Sequence, residues 1–246
     1  MNIATPRLRM FAGPNGSGKS TIKAVIEPAL LGIYINPDDI EKEINQLGFL
    51  DLSVYGVKTS ADEIINFFHS STFLISTGFA DCMNGLCWID NKLYFHGITI
   101  NAYFASVAAD FIRQKLVANQ TTFTFETVMS SPDKVQFLKY AQDQGFRTYL
   151  YFIATEAPEI NISRVKNRVI QGGHPVPEDK IVSRYYRSLD LLADAVQFTD
   201  RAYIFDNSFH AKVWLAEITE GKMLEMKTDV MPHWFKIALW DKFFPN

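Results

Sequence analysis

Short apolar runs alternate with stretches of 3.6-residue apolar spacing along most of the chain, and this rhythm predicts strand followed by helix several times over. Leu8, Met10, Phe11 and Ala12 form a short buried strand. After a glycine turn, Ile22, Val25, Ile26, Ala29 and Leu30 predict a helix over residues 20–31. A second strand is expected over 32–36, ended by Pro37, with Asp38 and Asp39 at the start of a helix from Ile40 to Leu47. Further on, an amphipathic helix over 101–119 carries Phe104, Val107, Ala108, Phe111, Ile112, Lys115 and Leu116 at 3.6-residue spacing. A strand at 122–126 follows, then a helix opened by Ser131-Pro132-Asp133 and closed by Gly145. The very apolar 147–154 reads as a central strand of a parallel sheet, and 202–206 as its last parallel strand. This order selects an α/β fold with a doubly wound, mainly parallel sheet.

Two regions depart from the alternation. Residues 48–99 read as an insertion between the second and third core strands, with a helix over 61–69, a strand at 73–75 and a hairpin of 86–90 with 92–96 about Asn91. Residues 209–246 read as a C-terminal addition, a hairpin over 213–227 turning at Glu220-Gly221 and a terminal helix over 234–244. The whole of 1–246 is expected to form one domain around these parts.

Charge and composition narrow the partners. With 24 basic and 27 acidic residues, a net charge of −3 and 48% hydrophobic residues, the chain can bury a large core but carries no global basic field. Duplex nucleic acid is therefore not expected as a bulk electrostatic partner. Cys82 and Cys87 match no zinc spacing and are read as small buried hydrophobes in a reducing compartment. His69 and His96 have no partner at metal-ligand spacing and are read as structural. The N-terminus has no apolar targeting segment, and no run approaches the roughly 18 apolar residues of a membrane span, so a cytoplasmic location is expected.

The turn after the first strand carries the chemistry. Residues 12–21 read A-G-P-N-G-S-G-K-S-T, a complete G-x-x-x-x-G-K-[ST] match at Gly13, Gly18, Lys19 and Ser20. Phosphate oxygens must be met by backbone N–H groups, which glycine allows to approach closely. Gly13, Pro14, Asn15, Gly16, Ser17, Gly18, Lys19, Ser20 and Thr21 are the candidate nucleotide loop, for ATP or GTP. Lys19 is placed between the β and γ phosphates and the Ser20 hydroxyl on Mg²⁺.

Carboxylates and arginines supply the remaining candidates. Asp38 follows the second strand and is the candidate base for an acceptor hydroxyl, with Asp39 sharing that role or capping the helix. Glu126, before Thr127, ends the 122–126 strand as a candidate carboxylate that orients the acceptor or holds a Mg²⁺ water, the alternative being a solvated edge residue. Residues 158–197 give two helices joined at Gly172-Gly173, the second opened by His174-Pro175-Val176-Pro177-Glu178 and packed by Val182, Leu189, Leu192 and Val196. Arg164, Arg168, Arg184 and Arg187 on this pair would form a lid that brings guanidinium groups to a phosphoryl group in transfer.

Together these segments resemble the zeta toxin family of P-loop kinases, in its compact bacterial branch. The resemblance rests on A-G-P-N-G-S-G-K-S-T (12–21), I-N-P-D-D-I (35–40), F-T-F-E-T (123–127), R-V-K-N-R-V-I-Q-G-G-H-P-V-P-E (164–178), R-Y-Y-R-S-L (184–189) and D-N-S (206–208). It implies an ATP- and Mg²⁺-dependent kinase that phosphorylates the sugar 3′-hydroxyl of UDP-N-acetylglucosamine and is often neutralised by an antitoxin. On that resemblance Asp38 is the general base, Glu126 an acceptor-site carboxylate, and Lys19 with the lid arginines the phosphate ligands. Two other functions stay open from the residues. One is a polynucleotide or nucleotide kinase, using Lys92, Tyr94, Phe95 and His96 as a stacking groove. The other is a nucleotide-gated ATPase switch acting through a protein partner.

Overall fold

The computed structural model describes residues 5–24, 26–173 and 175–245. Val25, expected on a helix face, and His174, expected to open the second lid helix, lie outside the described residues. Among the described residues there are ten strands: β1 (Arg7–Ala12), β2 (Ile33–Ile35), β3 (Phe49–Asp51), β4 (Leu86–Ile89), β5 (Lys92–Phe95), β6 (Phe123–Thr127), β7 (Arg147–Ala154), β8 (Arg201–Asp206), β9 (Val213–Thr219) and β10 (Met223–Met226). They form a seven-stranded sheet in the order β10-β9-β8-β7-β1-β6-β2 and a three-stranded sheet in the order β3-β5-β4. By backbone contacts the chain divides into two compact units, residues 1–32 with 124–246, and residues 33–123.

In the first unit β1, β7 and β8 run parallel, with Met10 opposite Leu150 and Leu150 opposite Ala202. The alternating strand and helix order predicts this, since a parallel pair needs a crossover between its members. Leu8, Met10, Phe11, Leu150, Phe152 and Ile204 are wholly buried. β9 and β10 add antiparallel strands at the edge, as the hairpin reading of 213–227 predicts. The helix after the nucleotide loop is shorter than its apolar spacing predicts: it covers only Ser20–Lys23, with a separate turn at Pro28–Leu31. Pro28 lacks an N–H and forces Glu27 out of the helical region, to φ −56° and ψ 125°. The expected terminal helix is present as one continuous helical run, His233–Phe235, a π-helical turn at Lys236–Trp240 and Asp241–Phe243.

In the second unit the helix Pro37–Leu47 packs on the long helix Ala102–Ala118. The aromatic rings of Phe68, Phe95 and Phe104 meet edge to face, at 6.1 and 6.3 Å between neighbours. β4 and β5 form the predicted hairpin, and Asp90 and Asn91 at its turn have φ of 49° and 60°, as a primed two-residue turn requires. β3 joins this hairpin along β5. The expected strand at 73–75 is instead part of a helix, Thr72–Ser76, because the Ser71 hydroxyl accepts from the Leu74 N–H and caps a turn there. Nor are the cysteines buried: Cys82 is exposed in a short turn and Cys87 half-buried on the outward side of β4, paired across from Tyr94. Among the described residues no helix is long and apolar enough to cross a membrane.

Candidate functional site

The nucleotide loop leaves β1 between two braces. Gly13, Gly16 and Gly18 have φ of 144°, 77° and 100°, a region side chains rarely adopt. Space imposes the same choice. A Cβ on Gly13 would run into the Ile153 carbonyl, one on Gly16 would sit 2.6 Å from the Asn161 carbonyl oxygen, and one on Gly18 would strike the Asn207 amide. The Asn207 side chain donates to the Ser17 carbonyl at 2.8 Å and that of Asn161 to the Asn15 carbonyl at 2.5 Å. The Lys19 ammonium folds over the loop, donating to the carbonyls of Gly13 (2.9 Å) and Pro14 (3.1 Å). Thr21 turns its hydroxyl back to the Gly18 carbonyl at 2.7 Å.

This cradle fits a phosphate. The buried Ser17 Oγ and the buried Nη1 of Arg164, both able to donate to a phosphate oxygen, have no hydrogen-bond partner among the described residues. With only four helical residues after the loop, the helix dipole contributes less than the loop N–H groups and Lys19 do. A Mg²⁺ ion would be held by the exposed Ser20 hydroxyl together with phosphate oxygens, a ligand set that needs no carboxylate cluster. Among the described residues no group of three or more His, Cys, Asp or Glu side chains is placed to hold a metal.

Glu126 lies on β6, which neighbours β1 in the sheet, so it is no edge residue. It is 6% exposed, which rules out the solvated alternative. Thr127 accepts the Met129 N–H at 3.1 Å, which helps hold Met129 at φ 53° in the turn that follows. The helices Pro158–Ile170 and Glu178–Asp190 pack against each other. Gly172, at φ 86°, and Gly173 close the first of them, the Gly173 N–H donating to the Arg168 carbonyl at 2.9 Å. Arg164 and Arg184 are half-buried, whereas Arg168 and Arg187 are exposed, Arg187 donating to the Ser183 carbonyl one turn back.

Asp38 and Asp39 belong to the other unit, both exposed in the first turn of Pro37–Leu47. Neither caps that helix. Asn36 does, its side chain accepting from the Asp38 N–H at 3.0 Å.

Several contributors are not evident from sequence. Asp206, at the end of β8, accepts from the Trp234 indole at 2.7 Å and from the Ser208 hydroxyl at 2.8 Å. The 206–208 turn therefore braces the fold and, through Asn207, the loop. Lys212 donates to the Thr21 carbonyl at 2.7 Å, and burial lowers its pKa. Asn161 had one legible signal, a polar residue in line with Pro158 and Val165 on the buried face of its helix.

Residues 100–219 match the family described as Zeta toxin. An uncharacterized protein of Haemophilus influenzae is 38% identical over 63 residues, 26% of this chain and 45% of its own length. Two crystal structures of AvrRxo1-ORF1:AvrRxo1-ORF2 share the fold. The one with sulphate ions has a TM-score of 0.55 at 15% identity, covering 92% of this chain and 62% of that one. The one with ATP scores 0.54 at 14% identity, covering 91% and 61%. This chain thus spans less than two thirds of the length of each of these relatives. The region that matches the Zeta toxin family thus lies within an α/β fold that this chain shares with the AvrRxo1-ORF1:AvrRxo1-ORF2 structures.

Proposed function

We propose that the protein transfers the γ-phosphate of ATP to a hydroxyl of a small-molecule acceptor, a nucleotide sugar such as UDP-N-acetylglucosamine, and acts as a zeta-type toxin. The observation that carries this reading is the braced glycine loop with Lys19 folded over it, beside an arginine-bearing helix pair. The residues divide the work. Loop N–H groups and Lys19 hold the β and γ phosphates, and Ser20 takes the Mg²⁺, which offsets charge on the phosphates. Arg168 and Arg184 neutralise charge on the moving phosphoryl group, a task of positioning and electrostatics. Asp38 accepts the acceptor's hydroxyl proton. Asp39, Glu126, Thr127, Arg164 and Arg187 bind the acceptor and fix its orientation. The buried carboxyl of Glu126 supports a polar ligand contact over a solvated role.

A protein partner is part of this reading. The similar AvrRxo1-ORF1 fold was crystallised with AvrRxo1-ORF2, and an antitoxin for this chain is proposed by analogy. Polynucleotide as the acceptor has one supporting feature, the Tyr94 and His96 rings stacked at 5.7 Å and 7°. Against it, Phe95 is buried on the opposite face and Asp51 stands across from Lys92, so the nucleotide sugar is preferred.

The test is expression together with product analysis. Expression of the wild type is expected to arrest growth and to accumulate a phosphorylated nucleotide sugar. Lys19→Ala is expected to relieve both. Growth arrest that persists in Lys19→Ala, with no phosphorylated metabolite, contradicts the reading.

A further inference from the structure

A line of buried polar groups runs from the second arginine helix to the nucleotide loop. The Tyr185 hydroxyl, on Glu178–Asp190, donates to the Thr155 carbonyl at 2.6 Å. The Thr155 hydroxyl donates to Asn161 Oδ1 on Pro158–Ile170. Asn161 Nδ2 donates to the Asn15 carbonyl at 2.5 Å. Thr155 and Asn161 are 0% exposed and Tyr185 is 2% exposed, so water cannot substitute for a lost partner without rearrangement. A second tie holds the same helix, the Ser188 hydroxyl donating to the Val128 carbonyl at 2.8 Å in the loop after Glu126 and Thr127.

Each link has a single sense. A phenol, a hydroxyl and an amide N–H donate in turn, and the amide uses its oxygen on one side and its nitrogen on the other. The line has no slack at the loop, because the Asn161 backbone lies where a Gly16 Cβ would be. Shifting Glu178–Asp190 must therefore strain Thr155 and Asn161 or break the line. Arg184 is the neighbour of Tyr185 in sequence, and Arg164 lies one turn beyond Asn161.

We propose that Asn161 and Tyr185 are positioning residues that couple the docking of the arginine helix to the conformation of the nucleotide loop. Asn161 sets the loop for any bound nucleotide. Tyr185 acts only when a γ-phosphate engages the arginines. The coupling rests on the kinase reading above for the part played by the arginines, and on geometry alone for the part played by Asn161.

The experiment measures Kd for ATP and for ADP on the full chain at a temperature well below every variant's melting point. Asn161→Asp keeps the acceptor for Thr155 and loses the donor to Asn15. It is expected to weaken both nucleotides about tenfold, the upper range for one buried hydrogen bond. Tyr185→Phe is expected to weaken ATP about threefold to tenfold and to leave ADP unchanged. Combined, the two are expected to weaken ATP by less than the product of their separate effects, the mark of residues acting as one unit. Restoring the amide with Asn161→Gln is expected to recover part of the loss. A role confined to stability lowers the melting point and moves neither Kd; that result overturns the proposal while leaving the kinase reading intact. So does an additive pair, or a Tyr185→Phe effect equal for ATP and ADP. Nucleotide coupling without any labelled acceptor product would defeat the kinase reading and leave Asn161's role standing. A wild type that binds neither nucleotide overturns both.

Discussion

Single residues in the first unit are constrained chiefly by what lies behind the loop. Gly13 is the sharpest case, since a side chain there meets the Ile153 carbonyl and its φ of 144° is strained for any L residue. Gly13→Ala is expected to cost about 1–3 kcal/mol from backbone strain alone, read as a lower urea midpoint, with nucleotide binding lost. Trp234 offers a different test. Its indole donates to the 4%-exposed Asp206 carboxyl at 2.7 Å, and Trp234→Phe removes that donor while keeping an aromatic ring. A loss of about 1.5–3 kcal/mol is expected by chemical denaturation, and no change would show that Ser208 alone satisfies the carboxyl. The glycine loop was legible because its residues are adjacent and each has one physical job. The Asn161–Asn15 and Tyr185–Thr155 bonds were not, because they join positions 146 and 30 residues apart and no local pattern encodes such pairs.

Elements were read best where two local signals agreed. β7 and the β4–β5 hairpin combine apolar character with clear turn residues, and both fall where the sequence pattern puts them. Where signals conflicted, capping and proline outweighed composition. Thr72–Ser76 is β-rich in composition but capped as a helix by Ser71, and the helix after the loop stops early because Pro28 outweighs continuing apolar spacing. In the second unit the aromatic contacts of Phe95 with Phe68 and Phe104 join the small sheet to the helices. Phe95→Ala is expected to cost about 3–5 kcal/mol, with amide exchange rising across residues 33–123 first. Uniform loss of protection over the whole chain would show instead that the two units unfold as one.

At the scale of the molecule, buried phenols set an alkaline limit. Burial is the leading cause of the raised pKa of Tyr55, Tyr185 and Tyr203, and it pushes Tyr151 up to about 12. A phenol whose folded pKa lies above its unfolded value of about 10 contributes fully below that pH, and its contribution falls as pH rises through the folded value. Stability is thus expected to hold up to about pH 10 and to fall steeply above it. Melting curves between pH 8 and 12 check this, and a flat profile would contradict the burial of these rings. The fold class was readable at this scale because strand and helix alternate along most of the chain. The acceptor was not, since Asp38 and Asp39 lie in the unit of residues 33–123 and the loop in the other, and no motif spans them.

In the proposed reaction a phosphoryl group passes to an acceptor hydroxyl, with Asp38 as the base. The most direct measurement follows γ-labelled ATP with UDP-N-acetylglucosamine and compares wild type, Lys19→Ala and Asp38→Ala. Label is expected on the sugar nucleotide with wild type and not with Lys19→Ala, and the rate is expected to fall by about 10²–10⁴ in Asp38→Ala. Label that appears only as free phosphate would rule out transfer to this acceptor, and a transfer rate that Asp38→Ala leaves intact would rule out Asp38 as the base.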